Sequence, residues 1–294
     1  MKTSHKAGFV NIIGNPNVGK STLMNAFVGE KLSIITSKAQ TTRHRILGIV
    51  NGEDFQVIIS DTPGIIKPAY QLQKAMMDFV KTAFEDADVL LYMIEIGEKG
   101  LKDEQLFEKI KSSTIPVLVL LNKIDTASQE RLEEQMGYWR EILPNTELYP
   151  ISAKENFNVA EVFDRIITLL PEAPPYFPKD QLTDKPERFF VNETIREKIL
   201  QFYQKEIPYA VEVATEEFIE EDTIIRIRSI IMVERDSQKG IIIGHRGSAL
   251  KKVGVAARTD LERLFEKQVH IELFVKVNKD WRSKANQLRR FGYQ

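Results

Sequence analysis

One nine-residue stretch restricts this chain more than any other: Gly14, Asn15, Pro16, Asn17, Val18, Gly19, Lys20, Ser21 and Thr22. It fills the pattern G-x-x-x-x-G-K-[ST] between the apolar run "FVNIIG" and a helical pattern, the setting this motif requires. Its two glycines let successive backbone N–H groups turn inward, and the helix N-terminus adds a positive dipole. Such a loop cradles phosphates, with Lys20 reaching the outer ones and Ser21 ligating Mg²⁺. A loop of this kind sits where a strand hands over to a helix, so the rest of the chain has to supply a sheet around it.

The sequence does so. The runs "FVNIIG", "ILGIV", "FQVIIS", "VLLYMIEI", "VLVLLNK" and "LYPIS" have strand length and recur between helical patterns. Near-continuous apolar strands of this type predict an α/β fold with a mostly parallel sheet covered on both faces. "ILGIV" and "FQVIIS" are separated only by "NGED", a hairpin signal, so one edge strand is expected to be antiparallel. With 294 residues, 43% of them apolar, the chain is long enough for two domains. Five prolines from Pro171 to Pro186 mark the boundary. The expected division is residues 1–172, a proline-rich connector over 173–186, and residues 187–294. There is no cysteine, which excludes disulfides and thiolate-held metals, and four scattered histidines give little support for another transition-metal site. The lack of cysteine also fits a reducing cytoplasm, and no apolar stretch approaches the eighteen residues a membrane span needs, so a soluble protein is expected, with the cytoplasm its expected location.

A phosphate loop leaves the nucleotide and the reaction open; three later motifs narrow both. Asp61, Thr62, Pro63 and Gly64 ("DTPG") follow a strand. Asp61 can therefore hold the Mg²⁺ shell through water, and Gly64 can offer its N–H to a γ-phosphate. Asn122, Lys123 and Asp125 ("NKID") follow the next buried strand but one, where Asp125 can accept two hydrogen bonds from guanine, a pattern adenine does not offer. Ser152, Ala153 and Lys154 ("SAK") end a further strand, where the Ala153 N–H can reach the guanine O6. A kinase or ATPase acting on a small molecule is the reading Asp125 opposes.

Residues 1–170, with these motifs and "QTTRH" at 40–44, resemble the Era family of GTPases. The resemblance implies GTP hydrolysis with Mg²⁺, and a threonine of the "QTTRH" motif that closes over the metal and the γ-phosphate. Thr42 is favoured, with Thr41 the alternative. Ile65 follows "DTPG" where a Ras-like enzyme has a water-orienting glutamine. An aliphatic side chain can neither donate nor accept a hydrogen bond, so slow intrinsic turnover is expected and no general base is assigned.

The second half carries another glycine pair. Residues 223–294 hold 16 Lys+Arg against 7 Asp+Glu, while the whole chain has a formal charge of −1. This basic block is a candidate polyanion surface. Within it, Gly244, His245, Arg246 and Gly247 form a G-x-x-G loop between "QKGIII" and a helix expected from Ser248 to about Phe265. The surrounding order, helix–strand–strand–helix–helix–strand, resembles a type II KH domain, whose glycine loop clamps single-stranded nucleic acid from the phosphate side. Lys251 and Lys252 are placed to meet phosphates, and Ile241, Ile242 and Ile243 to divide between packing and base contacts. The likeness to the Era layout runs essentially end to end, through the terminal "LRRFGY". It implies a monomer that binds small-subunit (16S) ribosomal RNA near its 3′ end and acts in assembly of the 30S subunit. It also implies peripheral contact with the inner membrane, here through basic surface alone. The competing reading is an RNA chaperone indifferent to the nucleotide, with GTP as a structural ligand.

Overall fold

The computed structural model describes residues 5–293. They group into two units, one comprising the residues up to Ala69 with Gln73–Asp184, the other Tyr70–Leu72 with the residues from Lys185 onward.

In the first unit the elements run β1 (Lys6–Ile13), α1 (Lys20–Val28), β2 (Ile46–Asn51), β3 (Phe55–Asp61), α2 (Gln71–Glu85), β4 (Val89–Glu95), α3 (Glu104–Lys111), β5 (Val117–Asn122), α4 (Gln129–Ile142), β6 (Glu147–Pro150) and α5 (Val159–Leu169). The six strands form one sheet in the order β2-β3-β1-β4-β5-β6. All pairings are parallel except β2 with β3, the expected hairpin. Because β4 is central and covered on both faces, Val89, Leu90, Leu91, Tyr92, Met93 and Ile94 are all fully buried. Parallel pairing of β1 with both β3 and β4 sets three carboxyl ends side by side. Its register puts Ile12 opposite Asp61, so the last residue of β3 lies beside the loop that leaves β1.

The proline-rich stretch read as a connector is bound to this unit as far as Asp184. Gln56, fully buried on β3, holds it: Oε1 accepts from the N–H groups of Tyr176 and Phe177 at 2.7 and 3.0 Å, while Nε2 donates to the Phe177 carbonyl at 2.8 Å. Further on, the Ile49 N–H donates to Leu182 O at 2.8 Å and the Leu47 N–H to Asp184 Oδ1 at 2.9 Å. The segment thus lies along the outer edge of β2. Proline-rich backbone is extended, and extended backbone can pair with a strand edge wherever a non-proline residue falls opposite.

The second unit runs α6 (Glu187–Phe202), α7 (Ile207–Ala210), β7 (Glu212–Glu220), β8 (Ile224–Val233), α8 (Asp236–Ile243), α9 (Ser248–Phe265), β9 (Gln268–Val277) and α10 (Ala285–Arg290). Its sheet has the order β7-β8-β9, antiparallel and then parallel. β8 alternates as a half-buried strand must: Ile225, Ile227, Ile231 and Val233 enter the core, while Arg226 is exposed. Val191, Ile195, Val253, Ala257 and Leu261, from α6 and α9, pack against them. Two elements depart from the expected order. Before β7, Pro208 opens the short helix α7, which that order does not contain, its fixed φ and missing N–H suiting a first turn. The segment after β9, beyond the last strand of that order, is part of the core. Trp281 Nε1 donates to Ala210 O at 3.0 Å, and the Tyr293 hydroxyl donates to Glu212 Oε2 at 2.9 Å.

Gln56→Ala is expected to destabilise the protein by about 1–3 kcal/mol, because it leaves backbone groups of the 176–177 segment without partners. Urea unfolding read by tryptophan fluorescence measures this.

Candidate functional site

The loop after β1 is tightly built. A Cβ on Gly14 would lie 2.2 Å from Met93 O, and one on Gly19, at φ 105°, would lie 2.3 Å from Asn122 Nδ2. Neither position admits a side chain. Lys20 is buried, and its ammonium donates to the carbonyls of Asn15 and Gly14 at 2.8 and 3.3 Å. Burial brings its pKa down to about 8, against the pull of Asp61 and Glu98.

Three oxygens converge beyond that lysine. Ser21 Oγ donates to Asp61 Oδ2 at 2.7 Å and lies 2.9 Å from Thr42 Oγ1, which itself donates to the same carboxylate oxygen at 3.3 Å. Burial raises the Asp61 pKa, opposed by these hydroxyls and by Lys20. Asp61 Oδ1 is buried and accepts no well-formed hydrogen bond among the described residues. A hard divalent cation suits such a set, since two hydroxyls and a partly unsatisfied buried carboxylate are oxygen donors of the type Mg²⁺ takes. The hydroxyl of Thr41, the alternative threonine, turns away to Lys38 O and Thr36 Oγ1, both at 2.6 Å.

The remaining motifs close a cleft of about 830 Å³. Asn122 ties its two ends together, because Nδ2 donates to Val18 O at 2.7 Å while Oδ1 accepts from the Ala153 N–H at 2.9 Å. Asp125 is exposed at the rim, where Ser152 Oγ donates to its Oδ1 at 2.7 Å. Ser152 thus steadies one oxygen of the Asp125 carboxylate, and Asn122 the Ala153 N–H. Lys123 takes a left-handed conformation and pairs with Glu95. Pro16, Asn17, Thr22, Gly64 and Lys154 also line the cleft.

Several expected contacts are structural by side chain. The Thr62 hydroxyl donates to Ile12 O at 2.6 Å in a buried site, Pro63 and Val18 are buried, and Ile65 is a core residue whose N–H donates to Gly14 O at 3.0 Å. Asn15 turns its side chain away from the cleft. It donates to Glu98 Oε1 and Gly100 O, both at 2.9 Å, and accepts from the Lys102 N–H at 3.2 Å. Glu98, whose pKa burial raises, was missed because no motif includes it. Ile35, half-exposed in the same cleft, was missed because loop residues carry no periodic signal.

In the second unit Gly244 (φ 71°), Arg246 (φ 48°) and Gly247 (φ 78°) form a tight turn between α8 and α9. A Cβ on Gly244 would lie 2.6 Å from that of Ala249. His245, Arg246, Lys251 and Lys252 are exposed, and Lys252 Nζ stands 4.4 Å from the centre of the Phe202 ring. Of the three isoleucines expected to divide between packing and bases, Ile242 is fully buried and only packs, while Ile241 is about half exposed. Beside the turn, α9 and β9 frame a groove of about 440 Å³ lined by Leu250, Lys251, Val255, Arg258, His270 and Leu273. Apolar floor and basic wall together suit bases and phosphates of a single strand. Apart from Lys251, these residues were invisible in sequence because they read as one face of a helix and one of a strand.

Residues 9–123 match the family described as 50S ribosome-binding GTPase, and residues 206–282 match the KH domain. The chain is 46% identical over 293 residues to the GTPase Era of Staphylococcus haemolyticus, covering 99% of this chain and 98% of that one. It is 45% identical to the GTPase Era of Staphylococcus epidermidis over the same length. Among solved structures, Era in complex with MgGDPNP and nucleotides 1506–1542 of 16S ribosomal RNA superposes with a TM-score of 0.94 at 39% identity, covering 98% of this chain and 99% of the other. An Aquifex aeolicus Era variant bound to GDP and AlF₄⁻ matches with the same TM-score, identity and coverage.

Two outcomes are expected from this geometry. Phosphates favour the charged form of Lys20, which raises its pKa on binding. Nucleotide affinity is therefore full below about pH 8 and falls as the pH rises past it. Titration of GDP affinity from pH 7 to about 9 checks the sign. Asp125→Asn should shift preference from guanine toward xanthine nucleotides by a factor of ten or more, roughly the worth of one charged hydrogen bond. Competition binding reads it.

Proposed function

We propose a function from one premise: this chain belongs to the Era family of GTPases. It hydrolyses GTP to GDP and phosphate, and the nucleotide state governs its binding to RNA. The first unit holds GTP in the 830 Å³ cleft. Backbone N–H groups of residues 14–22 and the start of α1 surround the phosphates, Lys20 neutralises the outer ones, and Asp125 with the Ala153 N–H selects guanine. Ser21, Thr42 and, through water, Asp61 would hold Mg²⁺, which would supply positive charge beside the outer phosphates.

The observation that carries this reading is the meeting of Ser21, Thr42 and Asp61. It supports a role for Thr42 of the 29–45 loop in holding the metal and sensing whether a γ-phosphate is present. Ile65 is buried in the core and has no donor or acceptor to offer an attacking water. Intrinsic turnover is accordingly slow.

The second unit binds single-stranded RNA at the 3′ end of small-subunit ribosomal RNA, and the protein acts in assembly of the 30S subunit. Support comes from the glycine turn, the basic groove beside it and the likeness over nearly the whole chain to an Era solved with that RNA segment. Gly244 and Gly247 let the backbone approach phosphates, while Lys251 and Arg258 supply charge. The proline-rich stretch of residues 173–186, bonded to the first unit as far as Asp184, leads into the second. Among the described residues no helix is long and apolar enough to cross a membrane. Work on ribosomal RNA puts the protein in the cytoplasm, with any inner-membrane contact made through the basic surface.

The test is the affinity of the full chain for a short RNA copying the small-subunit 3′ end, with GDP and then a non-hydrolysable GTP analogue at one salt concentration. Tighter binding with the analogue is expected. Replacing Gly244 and Gly247 together by Asp should abolish it and leave GTP turnover nearly intact. Equal affinity in both states would favour the nucleotide-indifferent chaperone.

A further inference from the structure

The loop that carries Thr42 ends in a side chain that none of the motifs explains. Arg45, the residue before β2, spreads its guanidinium over three elements. Nε donates to Ser60 Oγ at 2.6 Å, on the residue before Asp61. Nη2 donates to Asn11 Oδ1 of β1 at 3.2 Å. Nη1 and Nη2 then grip both oxygens of Asp86, just past the end of α2, at 2.5 and 2.9 Å. Asn11 completes the cluster, since its Nδ2 donates to Asp86 Oδ1 at 2.7 Å and also to the Ala83 carbonyl. Next to Arg45, the His44 ring lies 6.1 Å from that of Phe79 on α2.

This is more than a surface ion pair. The Arg45 side chain is only 14% exposed, and a planar fork bonded to a carboxylate, a hydroxyl and an amide at once fixes direction as well as distance. Asp86 is 41% exposed, so the charge attraction alone is screened and geometry is the larger effect. The arginine stands three residues from Thr42, with fully buried Arg43 between them. The downstream stem of the loop is thereby fastened to the strand that ends in Asp61 and to the helix that follows "DTPG". None of its partners lies in residues 14–22, 122–125 or 152–154.

We propose that Arg45 is a positioning residue for GTP hydrolysis. By clamping the stem of the 29–45 loop to β3 and to the end of α2, it holds Thr42 over the metal site and keeps the two loops that flank the γ-phosphate in one register. The proposal rests on the GTPase reading given above. It requires that the clamp matter to the γ-phosphate state and not to GDP, which is held by elements Arg45 does not touch.

The experiment uses the full chain with Mg²⁺, comparing wild type, Arg45→Met, Asp86→Asn and the double variant. Arg45→Met should lower kcat roughly tenfold or more, as small misplacements of a positioning group do, with KM for GTP and the GDP dissociation constant within about twofold. Asp86→Asn should lower kcat in the same direction by less, and the double variant should be no worse than Arg45→Met alone, because the pair acts as one unit. A kcat for Arg45→Met within about twofold of wild type, or a loss of GDP affinity as large as the loss of kcat, overturns the proposal. If Arg45→Met does not fold by circular dichroism, Asp86→Asn keeps the arginine and decides by whether its kcat falls while GDP affinity holds. Wild-type turnover separates the two levels: no hydrolysis of GTP by wild type defeats the functional reading, whereas normal turnover in every variant defeats only the role of Arg45.

Discussion

A carboxylate removed from water must be neutralised, hydrogen-bonded or given a cation, and Asp61 is fully buried. The first unit is arranged around that requirement. Parallel pairing of β1 with β3 brings Asp61 to the end of the phosphate loop. Ser21 at the start of α1 and Thr42 at the end of a long loop each bring a hydroxyl to one of its oxygens. The other oxygen accepts no well-formed hydrogen bond among the described residues. Lys20 stands nearby, itself brought down to about 8 by burial. Two buried groups of opposite sign, each short of solvation, form a site whose charges are satisfied when a nucleotide polyphosphate and its metal arrive together.

Much of this was legible in the sequence because short motifs fix backbone geometry. Gly14 and Gly19 are glycines since neighbouring atoms leave no room for a Cβ, and the strands follow from where apolar runs begin and end. What the sequence left open turned on side-chain direction. Thr41 and Thr42 are adjacent and chemically identical, and only the path of the loop sends one to Asp61 and the other to Lys38. Thr62 sits inside a motif and yet bonds to Ile12 O, because the residue after Asp61 points to the opposite side of the chain. Asn15 and Glu98 are 83 residues apart, and no local pattern could pair them.

The second unit shows the same division. Its helix–strand–strand–helix–helix–strand order follows from periodicity, and the glycine turn from composition. The groove that flanks the turn is assembled from Leu250 and Arg258 on α9 and His270 and Leu273 on β9, residues that any amphipathic helix and strand would carry. The buried Tyr293 and Trp281 were missed because single aromatics near the end of a chain have no period to reveal them, although each finds a polar partner in the core.

The proline-rich segment has a consequence for the solution behaviour of the first unit. β2 lies at the outer edge of the sheet, and an unpaired edge offers a row of donors and acceptors to any other extended chain. Leu182, Thr183 and Asp184 occupy that row through Ile49, Gly48 and Leu47. The strap is therefore a guard against sheet-to-sheet association. A fragment ending at the last residues of α5 would keep every group of the nucleotide cleft and still present a naked, apolar strand to its neighbours. The smallest well-behaved form of the unit extends to Asp184.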